Sequence, residues 1–232
     1  MQISYATLGF TIAGILFFVY SISFGKLPKG SLKTNLRVYS SAYLPLALVF
    51  LVWGLFTLNT VLLPLAVIIG NALLLIGSII MMYFLFSERS EILRIILLII
   101  GLLLSSIFLW WRIKYFFPTP YIINGILLLD TQQLVSIVWS VIFLLIWLPA
   151  NLKAARIISR DLLKPEMNYI YSFIYIISTI SAVLFISAQT PTLAIISFLL
   201  LLVSFVMLLY SNFVLKILFL EKGQIIQLPK AK

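Results

Sequence analysis

Histidine and cysteine are both missing from the 232 residues, and only 9% of the chain is charged. Their absence removes imidazole ligation of haem, the usual zinc and copper sites, iron–sulfur clusters, thiol nucleophiles, disulfides and Ser-His-Asp triads. Acidic residues number six against sixteen basic ones, so acid–base or two-metal chemistry has almost no carboxylates to draw on. No enzymatic activity is expected and no cofactor is implied. What fills the sequence is hydrocarbon: 63% of residues are hydrophobic and the mean hydropathy is +1.21. Soluble domains have about half apolar and about a quarter charged residues, so this composition belongs to a bilayer.

At about 20 residues per crossing, apolar runs between charged breaks place seven spans, at 3–24, 43–59, 61–86, 93–111, 131–150, 168–187 and 191–220. The expected fold is an all-α polytopic bundle of seven transmembrane helices forming a single domain over 1–232. The first run is too long for a signal-peptide core, has no basic residue ahead of it and ends in Ser23-Phe24-Gly25-Lys26, so it is expected to be retained. Strands of an outer-membrane barrel would alternate apolar and polar residues, whereas Ile95 to Leu104 is apolar on every side. Spans 1 to 3 and 5 to 7 are alike in length, as in a 3+1+3 transporter plan, but share no motif.

Basic residues near short loops stay on the cytoplasmic side. Fourteen of the sixteen Lys and Arg fall on one set of alternate loops, and only Arg112 and Lys114 fall on the other. The N-terminus is therefore expected outside and the C-terminus inside, in a cytoplasmic membrane of prokaryotic type. The net charge of +10 follows from that topology. Nucleic-acid binding is not expected, because no compact basic domain exists to carry it.

Polar groups in or near the spans are few enough to weigh singly. Residues 112–129, with Tyr115-Phe116-Phe117-Pro118-Thr119-Pro120-Tyr121, form the only substantial outer segment. They are expected either as an aromatic belt, with Arg112 and Lys114 snorkelling, or as a lid. Asp130 is the only carboxylate away from the cytoplasmic side, and a charge within hydrocarbon costs about 2.5–3.5 kcal/mol on insertion scales. In Asp130-Thr131-Gln132-Gln133 the Asp fits a helix cap reciprocated by Gln133. If the helix instead begins near Tyr121, Asp130 and Gln133 share a buried face and become a proton or cation site. Asn71, Ser78 and Asn212 are candidates for interhelical hydrogen bonds, and Gly70, Gly77 and Gly101 for close helix packing. Lys153, Arg156, Arg160 and Lys164, spaced three, four and four apart, lie on one face of a helix continuing past Ala150. That stripe is expected to meet anionic lipid headgroups or to dock an acidic cytoplasmic partner.

At Trp53-Gly54 and at Gly70-Asn71-Ala72-Leu73-Leu74-Leu75-Ile76-Gly77, the chain resembles the seven-helix membrane sensor region of bacterial diguanylate cyclases and histidine kinases. The likeness covers roughly Leu44 to Trp111. Those proteins continue into a cytoplasmic output domain, whereas here only Glu221 to Lys232 follow the last span. The resemblance implies a sensing or scaffold part without catalytic output. The expected function is thus a non-catalytic, receptor-like or scaffold subunit working through a membrane-protein partner or a homo-oligomer. A small-solute or ion transporter is the alternative.

Overall fold

The computed structural model describes residues 5–23, 31–129, 132–162 and 167–223, with backbone alone at 31–33, 60, 160–162, 167 and 211–223. In chain order these form α1 (Tyr5–Ile22), α2 (Ser31–Ser41), α3 (Tyr43–Phe56), a 3-10 turn (Thr60–Leu62), α4 (Leu63–Leu85) and α5 (Glu91–Tyr115). A hairpin of β1 (Tyr121–Ile123) and β2 (Ile126–Leu128) follows, then α6 (Gln133–Ile142), a π-helical turn (Phe143–Trp147), α7 (Leu148–Leu162), α8 (Met167–Ile186) and α9 (Pro191–Gly223). Helices α2 and α3 are separated by Ala42 alone, and α6, the π-turn and α7 run without interruption. Among the described residues there are thus seven helical segments long and apolar enough to cross a membrane. Their number and order match the apolar runs of the sequence, although the second reaches back to Ser31 and the fourth extends to Tyr115.

Local chemistry accounts for most boundaries. Ser90 caps α5, its hydroxyl accepting from the Leu93 amide at 3.4 Å, with Glu91 in the first turn and Arg112 and Lys114 in the last, as the helix dipole favours. Pro64 and Pro191 occupy first-turn positions of α4 and α9, where an N–H would have no partner within the helix. Pro149 is different, because it lies within a crossing. It cannot donate to the carbonyl one turn earlier and its ring crowds that carbonyl, and the π-turn at Phe143–Trp147 directly precedes it. Residues 121–128 form a two-stranded antiparallel ribbon pairing Tyr121 with Leu128 and Ile123 with Ile126. Its turn, Asn124-Gly125, has φ of 53° and 78°, the left-handed pair that a tight primed hairpin turn requires. Gly125 accepts from the Ala6 amide at 3.0 Å, pinning the ribbon over the start of α1. This end of the molecule is the hairpin end below, and the opposite one the far end.

Helix α1 packs on α3, α3 on α4, α7 on α8 and α8 on α9, while α5 touches mainly α4. The centre is aromatic. Phe17 stacks on Phe50 at 5.0 Å, and Phe205 meets Phe17, Tyr20 and Tyr43. Glycines at helix contacts serve close approach: a Cβ on Gly70 would lie 2.5 Å from Trp53 Nε1, and one on Gly77 would lie 3.0 Å from the Ala42 carbonyl.

Candidate functional site

Towards the far end, four helical crossings bring polar side chains to one point. Asn151, three residues into α7 beyond the π-turn, is the hub. Tyr39 of α2 and Tyr43 of α3 both donate to its Oδ1, at 3.0 and 2.8 Å. Its Nδ2 donates to Thr179 Oγ1 of α8 at 3.1 Å, and that hydroxyl donates to the Tyr175 carbonyl at 2.8 Å. Each phenol has one proton, so with both committed to Asn151 the 3.0 Å approach of the Tyr39 and Tyr43 oxygens adds no further donor. Tyr20 of α1 and Tyr175 of α8 share a bond of 2.5 Å between their hydroxyls. All four tyrosines and Asn151 are buried, and in a low-dielectric interior such a cluster holds together only if its donors are satisfied.

Beside the cluster lies a cavity of about 30 Å³, walled by Tyr43, Phe50, Trp53, Trp147, Asn151 and Thr179 among others. It is roomy enough for water, which needs about 10–15 Å³ on this measure, and far smaller than the 300–1,000 Å³ typical of ligand pockets. The π-turn forms part of its wall: Trp147 donates from Nε1 to Ser78 Oγ of α4 at 2.8 Å, and Phe143 stacks on Trp147 at 5.3 Å. Among the described residues no three carboxylate, histidine or cysteine side chains gather. The chamber offers hydroxyls, the Asn151 amide and ring faces.

A second polar centre sits at the hairpin end. Arg112 is wholly buried, donating to the Phe116 carbonyl and, at 3.1 Å, to Gln132 Oε1. This corrects the expectation that Arg112 snorkels to the headgroups; its guanidinium turns inward and ties α5 to the start of α6. Lys114 does follow the belt pattern, lying 5.0 Å from the Trp110 ring centre and 5.3 Å from that of Tyr115. Arg112 shares the wall of a cavity of about 20 Å³ with Asn71, Ser136 and Trp139.

The residues singled out from sequence fare unevenly. Ser78 makes the interhelical bond expected of it, to Trp147. Asn71 is buried but its Nδ2 has no partner. Asp130 and Lys164 lie outside the described residues, as do the side chains of Arg160 and Asn212. Helix α6 starts at Gln133 with Gln132 as its N-cap residue, whose side chain makes no capping bond; the cap expected from Asp130 falls outside the described residues. Residues 121–128 form the hairpin and Gln133 is exposed, which removes the variant in which a helix from Tyr121 buries Gln133. Lys153 is not part of a free cationic face. Its ammonium donates to the Phe84 and Leu85 carbonyls and to Ser87 Oγ at 3.1–3.3 Å, and it pairs with Glu88 at 3.2 Å, closing the C-terminus of α4 as a cation there should. Arg156 is exposed.

The tyrosine cluster escaped the sequence reading. Two signals for it exist: Tyr39 with Tyr43 and Tyr171 with Tyr175 are i, i+4 pairs in apolar surroundings, where a buried phenol needs a partner. No family model matches this sequence, and neither a curated protein nor a solved structure matches it significantly.

Proposed function

We propose that this chain is an integral membrane, receptor-like subunit without catalysis of its own, set in a cytoplasmic membrane with its N-terminus outside and acting through a protein partner. The observation that carries the reading is the Asn151 hub. One side chain joins α2, α3, α7 and α8, and exposed Arg156 lies five residues further along the same helix. A shift at the hub therefore moves the docking face, which is the physical requirement for coupling an intramembrane event to a cytoplasmic partner. The orientation rests on the fourteen-to-two division of basic residues.

Transport is the second reading, and the small cavity beside the π-turn favours it. π-turns inside α-helices frequently mark functional sites, and this one borders the polar centre without interrupting its helix. Recovery of partners in mild detergent separates the two. A subunit should bring down a stoichiometric partner, and Arg156→Gln with Arg160→Gln should reduce that partner while insertion persists. Solute flux through liposomes holding the purified chain alone, with no partner recovered, overturns the receptor reading in favour of transport. Cysteines placed at Lys33 and Arg156 should resist an impermeant thiol reagent in intact cells, and ready labelling of both would invert the orientation.

A further inference from the structure

Two polar cavities stand end to end inside the bundle. The one beside the hub, of about 30 Å³, and the one at Arg112, of about 20 Å³, have three wall residues in common: Trp53 of α3, Leu74 of α4 and Ile186 of α8. These three side chains form the partition between them. Helix α4 runs along both chambers, with Asn71, Leu74 and Ser78 at spacings of three and four on one face. Asn71 lines the Arg112 chamber, Leu74 stands at the partition, and Ser78 accepts from Trp147, a wall residue of the hub chamber. Each chamber has a donor to spare. Asn71 is 4% exposed and its Nδ2 donates to no protein group. Asn151 Nδ2 carries two hydrogens and gives one to Thr179, which leaves one over. Hydroxyls stand nearby, Ser136 in the Arg112 chamber and Ser178 and Thr179 in the hub chamber.

We propose that both chambers are sites for ordered water, and that the Trp53 ring is a bar splitting what would otherwise be one hydrated passage from the hairpin end to the hub. Apolar cavities stay dry, whereas a polar one with more than about 10–15 Å³ and two to four hydrogen-bonding partners takes water. Both chambers meet those conditions. A buried amide left unpaired bears the full cost of its desolvation, and water in the Arg112 chamber relieves it at Asn71. The bar is held in place from two directions. Trp53 Nε1 donates to the Ala66 carbonyl at 3.2 Å, and the ring fills the space that Gly70 leaves by having no Cβ. As the side chain that borders both chambers and carries a fixed ring, Trp53 separates the hairpin-end centre from Asn151. The passage goes beyond the receptor and transport readings and depends on neither.

The test is oxidative footprinting of the full chain in phosphatidylcholine nanodiscs. X-ray radiolysis makes hydroxyl radicals wherever water is held, and mass spectrometry maps the oxidised side chains. Trp139 in the Arg112 chamber and Tyr43 and Trp147 in the hub chamber should be oxidised. Met81, which is buried, oxidisable and lines neither chamber, should not. Asn71→Leu should lower oxidation of Trp139 about fivefold, the equivalent of about 1 kcal/mol, and leave that of Trp147 unchanged. Brief exposure to water labelled with a heavy oxygen isotope then reads the bar. In the unaltered chain the isotope should reach Trp139 and Trp147 at different rates, and in Trp53→Ala at one common rate. Leu74→Ala opens the same partition without touching the bond to Ala66, and should act in the same direction if Trp53→Ala does not fold. Trp139 and Trp147 no more oxidised than Met81 would overturn the proposal outright. Equal exchange rates in the unaltered chain, or rates that stay apart in the folded partition variants, would overturn the bar.

Discussion

Helices α3 and α5 are both apolar and both long enough, with their neighbours, to cross a bilayer, yet they end in opposite places. α3 buries Tyr43, Phe50, Trp53 and Gly54 among others, whereas of the 25 residues of α5 only Arg112 is fully buried. The most apolar stretch of α5 is more hydrophobic than that of the α2–α3 segment as a whole. In lipid a leucine gains almost nothing by exchanging acyl chains for protein, so apolar character does not pull a helix inward. Hydroxyls, amides, small residues and flat rings do, because they find hydrogen bonds or close backbone contact only in the bundle. Helix α5 offers Ile99, Leu102 and Leu103 to its surroundings, and its polar anchors, Arg94 on Tyr83 of α4 and Arg112 on Gln132, lie towards its two ends.

The sharpest break in this contrast should come from the hub. Asn151→Leu leaves the Tyr39 and Tyr43 protons without their acceptor, and we expect about 3 kcal/mol of destabilisation, measured by detergent-induced unfolding. Tyr39→Phe removes one donor but keeps Tyr43 on Asn151, and should cost about 1 kcal/mol. A hub variant as stable as the unaltered protein would mean that the tyrosine cluster does not hold the buried crossings together.

Two glycines provide a matched pair. Gly70→Ala drives a methyl against the rigid Trp53 ring, whose Nε1 donates to the Ala66 carbonyl at 3.2 Å, and should cost about 2 kcal/mol by overpacking. Gly101→Ala on α5 meets the Met82 methyl at 2.8 Å, the end of a flexible side chain that can move aside, and should cost less than about 0.5 kcal/mol. Equal losses at the two sites would erase the distinction between buried and peripheral crossings.

Lys153→Met removes the cation that closes α4 and should cost about 1 kcal/mol, with faster amide hydrogen exchange over Phe84 to Ser87. Leu103→Ala on the outward face of α5 should be the mildest, within about 0.5 kcal/mol. Loss of a recovered partner in Leu103→Ala without loss of stability would show that this face is covered by protein.

Some of what the sequence reading missed had local signals. Asn124-Gly125 between Ile122-Ile123 and Ile126-Leu127 is a hairpin signature, within a segment whose prolines at 118 and 120 by themselves predict only irregular structure. Arg112 was assigned to the interface from its place at the end of a run. Only the fold of residues 116–132 back over the end of α5 supplies the carbonyl of Phe116 and the amide of Gln132 that let it turn inward. Lys153 looked like one member of a cationic stripe because spacing reports a face, not what stands opposite that face.

By itself the sequence determined seven helical segments long and apolar enough to cross a membrane, the start of α9 at Pro191, and the division of basic residues between alternate loops. The reason is local. Without water, each backbone N–H and C=O must be paired within its own segment, so a long apolar run becomes a helix whatever surrounds it. Tertiary structure alone decided which faces met. Tyr39 and Asn151 are 112 positions apart, and Tyr20 and Tyr175 are 155 apart, separations over which no periodicity carries information. Hydrocarbon outside and hydrocarbon inside leave hydropathy nothing with which to tell the two faces of a helix apart. Their arrangement was settled by the few groups that needed one another.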